Sequence, residues 1–283
     1  DFDQIKETLK QYLQSNSNFT DYDFEGSNLS TILDVLAYNT YITSYNANMI
    51  SNEVFIDSAT LRENVISLAR NIGYVPRSRR AAKMVVDYNV TGISTSATSI
   101  VFQPGLIANG AVSNKNFLFS IPEKVTASAK NGSATGTIEI FQGQYLETTF
   151  IVNDSLPNQR YIIPNNGVDT STIRVGIREN NSSTTSIDYK LVDNIVGVTS
   201  TSNIFLIQET TDEKYEILFG DGIFGSKVAN GSVVDISYII TEGKNGNGVA
   251  RVSYSGTLEN ENGASETGSA TLRPQYASEQ GDD

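Results

Sequence analysis

A glycine-rich segment from Tyr215 to Val249 decides the fold of this chain, and it reads YEILFGDGIFGSKVANGSVVDISYIITEGKNGNGV. Polar and apolar side chains alternate on both sides of residues 220–222, which predicts two β-strands joined by a turn. Glycine reaches positive φ without steric cost, and aspartate can accept hydrogen bonds from its own backbone, so Gly-Asp-Gly suits this turn. A second bend is allowed by three later glycines, Gly243, Gly246 and Gly248.

The same segment contains the pattern G-x-G-x-x-G of dinucleotide-binding sites at residues 220–225. Such a site needs a helix directly after the third glycine, because the helix N-terminus faces the pyrophosphate. Here the third glycine is followed by an Asn-Gly turn signal at 230–231 and by a β-branched run from Val233 to Ile240. We therefore reject a nucleotide-binding site.

Asp221 is the acidic residue most easily mistaken for a catalytic one. Catalysis by carboxylates usually needs a second carboxylate or a base at hand, and the acids nearby in sequence show no spacing that implies convergence. A calcium loop would need alternating Asp or Asn ligands and a closing Glu, which do not follow Asp221. We interpret Asp221 as a turn-forming residue and predict no catalytic residue, cofactor or metal site.

The order of these residues resembles the baseplate J-like family of contractile phage tails. The family signature is Phe-Gly-Asp-Gly, a further glycine, and a strand that ends in a glycine-rich loop containing Asn. The matching positions are Phe219, Gly220, Asp221, Gly222, Gly225, Gly231, Tyr238, Gly243, Gly246, Asn247 and Gly248. We assign these positions a structural role in the turn and the loop.

Composition narrows the classes of function. The 283 residues contain no Cys and no His, and the net charge is −12. The lack of Cys and His excludes disulfides, Cys/His nucleophile pairs and zinc sites built on these residues. An acidic chain is a poor partner for nucleic acid, because phosphate contacts need clustered Lys and Arg. No stretch approaches the roughly 20 apolar residues of a membrane span, so we predict none.

Residues 1–76 are predicted to form a helical segment. Apolar residues recur at helical spacing from Phe2 to Leu13, and a longer helix is predicted from about Asn28 to Ser51. The longer helix has two apolar stripes, and it cannot bury both against a single neighbour. It therefore belongs inside a helix bundle, in which one or more neighbours come from another chain. The two stripes are Leu29, Ile32, Leu33 and Leu36, and Val35, Tyr38, Ile42, Tyr45 and Met49.

A third helix is predicted from about Thr60, where Thr60-Leu61-Arg62-Glu63 fits a capping box, to a stop at Gly73. Its buried stripe is predicted to consist of Leu61, Val65, Leu68, Ala69 and Ile72. Residues 61–78, together with residues 29–34, resemble the N-terminal region of the large baseplate wedge subunit of T-even-like contractile-tailed phages. In that family further domains follow, so we expect this chain to be part of a longer protein.

From about Lys83 the hydrophobic period changes from that of a helix to that of a strand, with turn signals at short intervals. Many short strands at this spacing favour sandwich or barrel lobes. We predict a basic connector over 77–82, β structure over 83–256 with an inserted lobe at about 106–200, and a polar tail over 257–283. The fold class is therefore α+β, with a helical bundle segment followed by mainly antiparallel β lobes.

The basic cluster and the tyrosines of the long helix each allow two interpretations. The basic cluster of Arg77, Arg79, Arg80 and Lys83 is either a solvated connector or a dock for an acidic partner. Three tyrosines of the long helix either fill the core of this chain, with their hydroxyl groups at its edge, or stack in the groove of a partner. They are Tyr38, Tyr41 and Tyr45.

These observations favour a non-enzymatic structural protein. The predicted partner-binding residues are Leu29, Ile32, Leu33, Leu36, Tyr38, Ile42, Tyr45, Met49, Leu61, Val65 and Leu68. The resemblance implies a virion protein of the tail baseplate, assembled in the host bacterial cytoplasm, that relays baseplate rearrangement to sheath contraction. Its implied partners are a second copy of itself and a different wedge subunit in a helical core bundle, and neighbouring wedges in a six-fold baseplate.

The sequence leaves two alternative functions open. A carbohydrate-binding adhesin or tail-spike module is favoured by the acidic, Thr- and Asn-rich β composition, and it would need an exposed aromatic platform. An enzyme would need a pocket with a convergent acid pair, or a helix after Gly225.

Overall fold

The computed structural model describes residues 1–15, 27–71, 78–156, 158–192, 196–210 and 214–283. The chain forms two compact units, Asp1–Arg77 and Ser78–Asp283. The first unit is helical, and the second consists mostly of antiparallel strands. The predicted α+β class is therefore confirmed.

Three helices make up the described part of the first unit: α1 (Phe2–Gln14), α2 (Asn28–Glu53) and α3 (Arg62–Asn71). α2 begins where the Ser27 hydroxyl oxygen accepts a hydrogen bond from the Ser30 amide at 3.0 Å, which satisfies one of the free amides of the first turn. Both α1 and the long helix predicted from about Asn28 are present. α1 packs against α2, and Lys6 Nζ lies 2.5 Å from Asp34 Oδ1.

The start of α3 differs from the prediction. The Leu61 carbonyl accepts a hydrogen bond from the Val65 amide at 3.1 Å, so Leu61 rather than Thr60 caps the helix. The Thr60 hydroxyl instead donates to Glu53 Oε1 at 2.6 Å, because the end of α2 lies beside the start of α3. The side chain of Glu63 and the predicted stop at Gly73 lie outside the described part of the chain.

The second unit is built from short strands. Their bounds are β1 (Lys83–Thr91), β2 (Ser99–Phe102), β3 (Gly105–Val112), β4 (Lys115–Ile121), β5 (Val125–Ser128), β6 (Ser133–Gln142), β7 (Gln144–Ile151), β8 (Tyr161–Ile162), β9 (Val168–Arg178), β10 (Ser186–Leu191), β11 (Ile204–Glu209), β12 (Tyr215–Phe219), β13 (Val233–Ile240), β14 (Val252–Tyr254), β15 (Leu258–Asn260) and β16 (Ser269–Pro274).

These strands form three sheets. The first sheet has the order β14-β3-β4-β6-β1-β16, the second has the order β7-β13-β9-β10-β11-β12-β8, and a small third sheet has the order β15-β2-β5. Strand β10 pairs parallel with β11, whereas the neighbouring pairs are antiparallel. The side chains of β1 alternate between buried and more exposed, as a strand with one face on a core requires.

Two separate hydrophobic cores define two lobes. The first lobe contains β1–β6 and β14–β16, and its core includes Val86, Phe102 and Phe119. The second lobe contains β7–β13, and its core includes Phe205 and Tyr238. The second lobe is thus inserted between β6 and β14 of the first.

The predicted inserted lobe at 106–200 does not match this arrangement. The inserted strands run from β7 to β13, over residues 144–240, and include the turn at 219–222. Residues 105–121 belong to the first lobe, because β3 pairs with β14 and β4 pairs with β6. Alternation of side chains predicts a strand but does not show which sheet the strand joins, so the boundary was misplaced.

The prediction of a polar tail over 257–283 is wrong. β16 pairs with β1 from Val86 opposite Pro274 to Thr91 opposite Ser269, and Leu272 is buried in the first core. β16 is an edge strand with one buried apolar side chain, so its stability comes from backbone pairing. Backbone pairing leaves no apolar period in the sequence, and the segment therefore looked like a tail.

Candidate partner-binding surfaces and the glycine turn

Most of the large apolar side chains of α2 are exposed in the described part of the chain. Six residues of the two predicted stripes are between 39% and 63% exposed, namely Ile32, Val35, Leu36, Tyr38, Tyr45 and Met49. The buried positions of α2 are Ser30, Leu33 and Ala37, which share one face of the helix. Packing within the chain therefore covers a single face of α2 and leaves apolar surface on the others.

One uncovered stripe has the spacing of a helix-helix seam. Val35, Tyr38, Ile42, Tyr45 and Met49 follow one another at alternating intervals of three and four residues. This is the spacing with which two helices pack side chains into each other along a shared line. We call these five residues the α2 seam. Four of them are exposed and Ile42 is half-buried.

The remaining predicted partner-binding residues fall into three groups. Leu33 is only 3% exposed, so it belongs to the core of this chain and is not available to a partner. Leu29, Val65 and Leu68 are half-buried, and Leu61 is exposed. Tyr38, Tyr41 and Tyr45 are exposed, so they do not fill the core of this chain. Whether these residues bind a partner stays a prediction.

The corner between α2 and α3 depends on Glu53, which sequence reasoning missed. Glu53 Oε1 accepts hydrogen bonds from the Thr60 hydroxyl at 2.6 Å and the Thr60 amide at 2.9 Å. Oε2 accepts hydrogen bonds from Asn64 Nδ2 at 2.8 Å and the Leu61 amide at 3.2 Å. These bonds, led by the Thr60 hydroxyl and Asn64, lower the pKa of Glu53 to about 2.

This corner extends the uncovered apolar surface beyond the predicted residues. We call its exposed side chains the corner patch; they are Ile50, Val54, Phe55, Ile56 and Leu61. No sequence signal pointed to most of them, because residues 54–60 lie between helices and have no helical period. Glu53 holds the backbone on both sides of the patch, so the patch has a defined shape.

The turn at residues 220–225 is held by Asp221. Its Oδ1 accepts hydrogen bonds from the amides of Ile223 at 2.8 Å and Phe224 at 2.9 Å. These bonds, Phe224 first, hold the pKa of Asp221 below its usual value. Gly222 has a φ of +91°, where an L side chain is strained. The structure places the carboxylate in backbone contacts, as a turn-forming role requires.

Gly220 is needed for a different reason. A Cβ atom on Gly220 would lie 2.3 Å from the backbone carbon of Gly225, so the two glycines let the chain cross itself closely. The loop at 243–248 is equally crowded. There a Cβ on Gly243 would lie 2.7 Å from the Asp282 carbonyl oxygen, and a Cβ on Gly246 would lie 2.6 Å from Gln142 Cγ.

The basic cluster does not form a free connector. The backbone of Arg80 pairs with Asp282, and Lys83 Nζ lies 2.9 Å from Glu139 Oε1. Between them, Ala81 and Ala82 are buried. Arg77 lies outside the described residues, so the structure does not test an acidic partner at this position.

An enzyme or a metal site would need acidic or metal-binding side chains that converge in space. Within the described ranges, no group of three or more Asp, Glu, His or Cys side chains is arranged to hold a metal ion. A groove of about 860 Å³ is lined by both lobes; its acidic lining residues are Glu123, which forms an ion pair with Arg174, and Asp188. None of the helices in the described part of the chain combines the length and apolarity of a membrane span.

Comparison with known proteins agrees with this architecture. Residues 1–74 match the family model described as baseplate wedge protein gp6-like, helical domain. Residues 146–252 match the third domain of bacteriophage baseplate wedge protein gp6. The second match begins in β7 and ends at the start of β14, so it covers nearly the whole inserted lobe. These matches support a baseplate wedge protein family.

One curated relative is the baseplate wedge protein gp6 of Enterobacteria phage T4. It is 29% identical over 278 residues, and the match covers 92% of this chain. It covers 41% of the T4 protein, so the chain spans less than half the length of that relative. The likeness supports a structural role in the tail baseplate of a virion.

Proposed function

We propose that this chain is part of a structural subunit of a baseplate wedge, and that the uncovered faces of α2 bind partner helices. The partners are a second copy of the chain and a different wedge subunit, joined in a helical core bundle. The observation that carries this proposal is the exposure of Ile32, Leu36 and the α2 seam in a chain whose two β lobes have well-buried cores.

This apolar surface is costly to leave in water. Burying one large apolar side chain contributes about 1.5–3 kcal/mol, so covering several of them gives a strong driving force. Contiguous apolar patches of more than a few hundred Å² on a soluble protein mark interaction sites. Obligate interfaces bury more than ~2,000 Å². We propose that the α2 seam and the corner patch belong to an interface of this class.

The wider role follows from the baseplate likeness. Wedges assemble around a six-fold baseplate in the host cytoplasm, and the β lobes act as rigid spacers that relay baseplate rearrangement to the sheath. We propose no catalytic activity, no cofactor and no nucleic-acid partner. Membership of the baseplate J-like family, suggested by the Phe219 to Gly222 signature, stays a prediction.

The proposal is tested by charging the uncovered face of α2. Replacing Ile32→Asp together with Leu36→Asp puts two carboxylates on an apolar surface that a partner would bury, and burial of an unpaired charge is strongly unfavourable. We expect the double variant to lose self-association in sedimentation experiments and to lose co-purification with the sibling wedge proteins. Circular dichroism should show that the β lobes remain folded.

A matched control separates the position of the charges from their number. Ser44 and Asn48 are exposed polar residues of the same helix at the same spacing and belong to neither stripe, so Ser44→Asp with Asn48→Asp adds the same charge away from the stripes. Assembly by the control but not by the test variant supports the proposal. Assembly by both at the same affinity would refute it, and saturable binding on a glycan array would favour the carbohydrate-binding alternative.

A further inference from the structure

Residues 275–283 are held against the rest of the second unit by many hydrogen bonds. We call residues 275–283 the strap. Ser278 is buried; its hydroxyl donates to the Gly246 carbonyl at 2.5 Å and accepts from the Val249 amide at 2.8 Å. Its backbone also accepts from the Gly248 amide at 2.7 Å and donates to the Val249 carbonyl at 3.0 Å. Ser278 thus makes four hydrogen bonds to residues 246–249.

The strap also pairs with the segment that leads into β1. Arg80 and Asp282 exchange backbone hydrogen bonds of 2.9 and 3.1 Å. Lys83 and Glu279 exchange another pair, of 2.9 and 3.0 Å. The strap therefore lies between residues 80–83 on one side and residues 246–249 on the other.

Both segments that the strap joins lie at the junction of the two lobes. Residues 241–251 connect β13 of the second lobe to β14 of the first. Residues 78–82 precede β1 of the first lobe but contact the second, because the Ala81 amide donates to the buried Asp169 at 2.7 Å. Ser78 Oγ lies 2.8 Å from Thr170 Oγ1 of the same strand.

The loop at 243–248 is complementary to the strap in shape as well as in hydrogen bonding. A Cβ atom on Gly281 would lie 2.4 Å from the Gly243 carbonyl oxygen, so the two backbones approach to a distance that only glycine permits. The Asn247 side chain then binds the Gly281 backbone twice, as acceptor at 2.9 Å and as donor at 3.0 Å. Together with the contacts of Ser278, these involve Gly243, Gly246, Asn247 and Gly248 of the loop at 243–248, and all of them are made within the chain.

We propose that the strap holds the two β lobes together as one rigid body. In this proposal, the loop at 243–248 is the surface to which the strap binds. Without the strap, the lobes remain joined through two chain crossings and side-chain contacts, which permit hinge motion. With the strap, buried hydrogen bonds link the entry to the first lobe and the connection between the lobes. Breaking such a bond leaves buried polar groups unpaired, which is costly. The inference does not depend on the proposed function.

The experiment uses the full chain with Ser278→Ala, which removes the hydroxyl and its two hydrogen bonds and adds no atom to this buried site. We expect amide hydrogen exchange at Arg80, Lys83, Gly248 and Val249 to become about tenfold faster or more. The chain contains no Cys, so spin labels can be placed on cysteines introduced by Asn116→Cys in the first lobe and Glu179→Cys in the second. We expect the distribution of distances between the labels to broaden in Ser278→Ala.

The control is Ser269→Ala, because Ser269 is an exposed serine of the neighbouring strand β16. If Ser278→Ala does not fold, Asn247→Ala decides the question by the same two measurements, since it removes only the Gly281 contacts. Exchange rates and label distances that match those of Ser269→Ala would overturn the proposal.

Discussion

Glu53 shows how one carboxylate sets the geometry of a candidate interface. Its folded pKa of about 2 lies below the ordinary value of 4.5 because four donors stabilise the charged form. A group with a lowered folded pKa stabilises the structure above its unfolded pKa, and the effect is lost as the pH falls through the folded pKa. The corner between α2 and α3 should therefore loosen between about pH 4.5 and about pH 2.

We expect Glu53→Gln to loosen the same corner at neutral pH and to remove this part of its pH dependence. A neutral amide cannot accept from all four donors, so the amides of Thr60 and Leu61 should exchange faster by hydrogen-exchange mass spectrometry. Glu7→Gln is the control, because Glu7 is an exposed glutamate of α1. Equal exchange in both variants at neutral pH would show that Glu53 does not hold the corner.

The glycines of the 220–225 turn have two separable roles. Gly222 has positive φ with its surroundings open, since the nearest atom to an added Cβ is 3.8 Å away, whereas Gly220 has no room for a Cβ. We expect Gly222→Ala to lower the free energy of unfolding by about 1–3 kcal/mol through backbone strain. Gly220→Ala should lower it by more, because the backbone at Gly225 must move.

Chemical denaturation measures both costs. Gly231→Ala is the matched strain control, because Gly231 has a φ of +84° and nothing lies within 4 Å of an added Cβ. Gly222→Ala and Gly231→Ala should therefore cost similar amounts. A Gly220→Ala cost no larger than these two would contradict the crossing of Gly220 and Gly225.

Among the elements, those with a strong apolar period could be predicted and those held by backbone contacts could not. α2 is recognisable because apolar residues recur around it from Leu29 to Met49, and β1 because alternate residues such as Val86 and Val90 face a core. β16 was missed because Leu272 is its one buried apolar residue. Its pairing partner is nearly the whole β unit away in sequence, and no local pattern records such a contact.

The candidate partner-binding surfaces also include some residues that could be predicted from the sequence and others that could not. The α2 seam follows from spacing alone, so its residues could be named from the sequence. The burial of Leu33 depends on the packing of the helical unit, and the corner patch depends on Glu53 reaching Thr60 and Leu61. Contacts of this kind join residues without a fixed interval, so they are visible only in the folded chain.

For the molecule as a whole, the two compact units differ in how much apolar surface they bury. Buried apolar residues of the described helical unit are Leu33, Ala37, Ile66 and Ala69, whereas each β lobe has an extended core. Apolar burial is the main stabilising term in folding, so the helical unit of the isolated chain should be the less stable one. A partner that binds only the folded helices would stabilise that unit by mass action.

We therefore expect two thermal transitions in the isolated chain. Helix content, followed by circular dichroism at 222 nm, should be lost at a lower temperature than hydrogen-exchange protection of β1 and β13. Adding the sibling wedge proteins should raise the first transition and leave the second in place, and the Ile32→Asp, Leu36→Asp variant should show no such shift. A single shared midpoint that partners do not move would mean that the helices are stabilised within this chain, and the uncovered faces of α2 would then need another explanation.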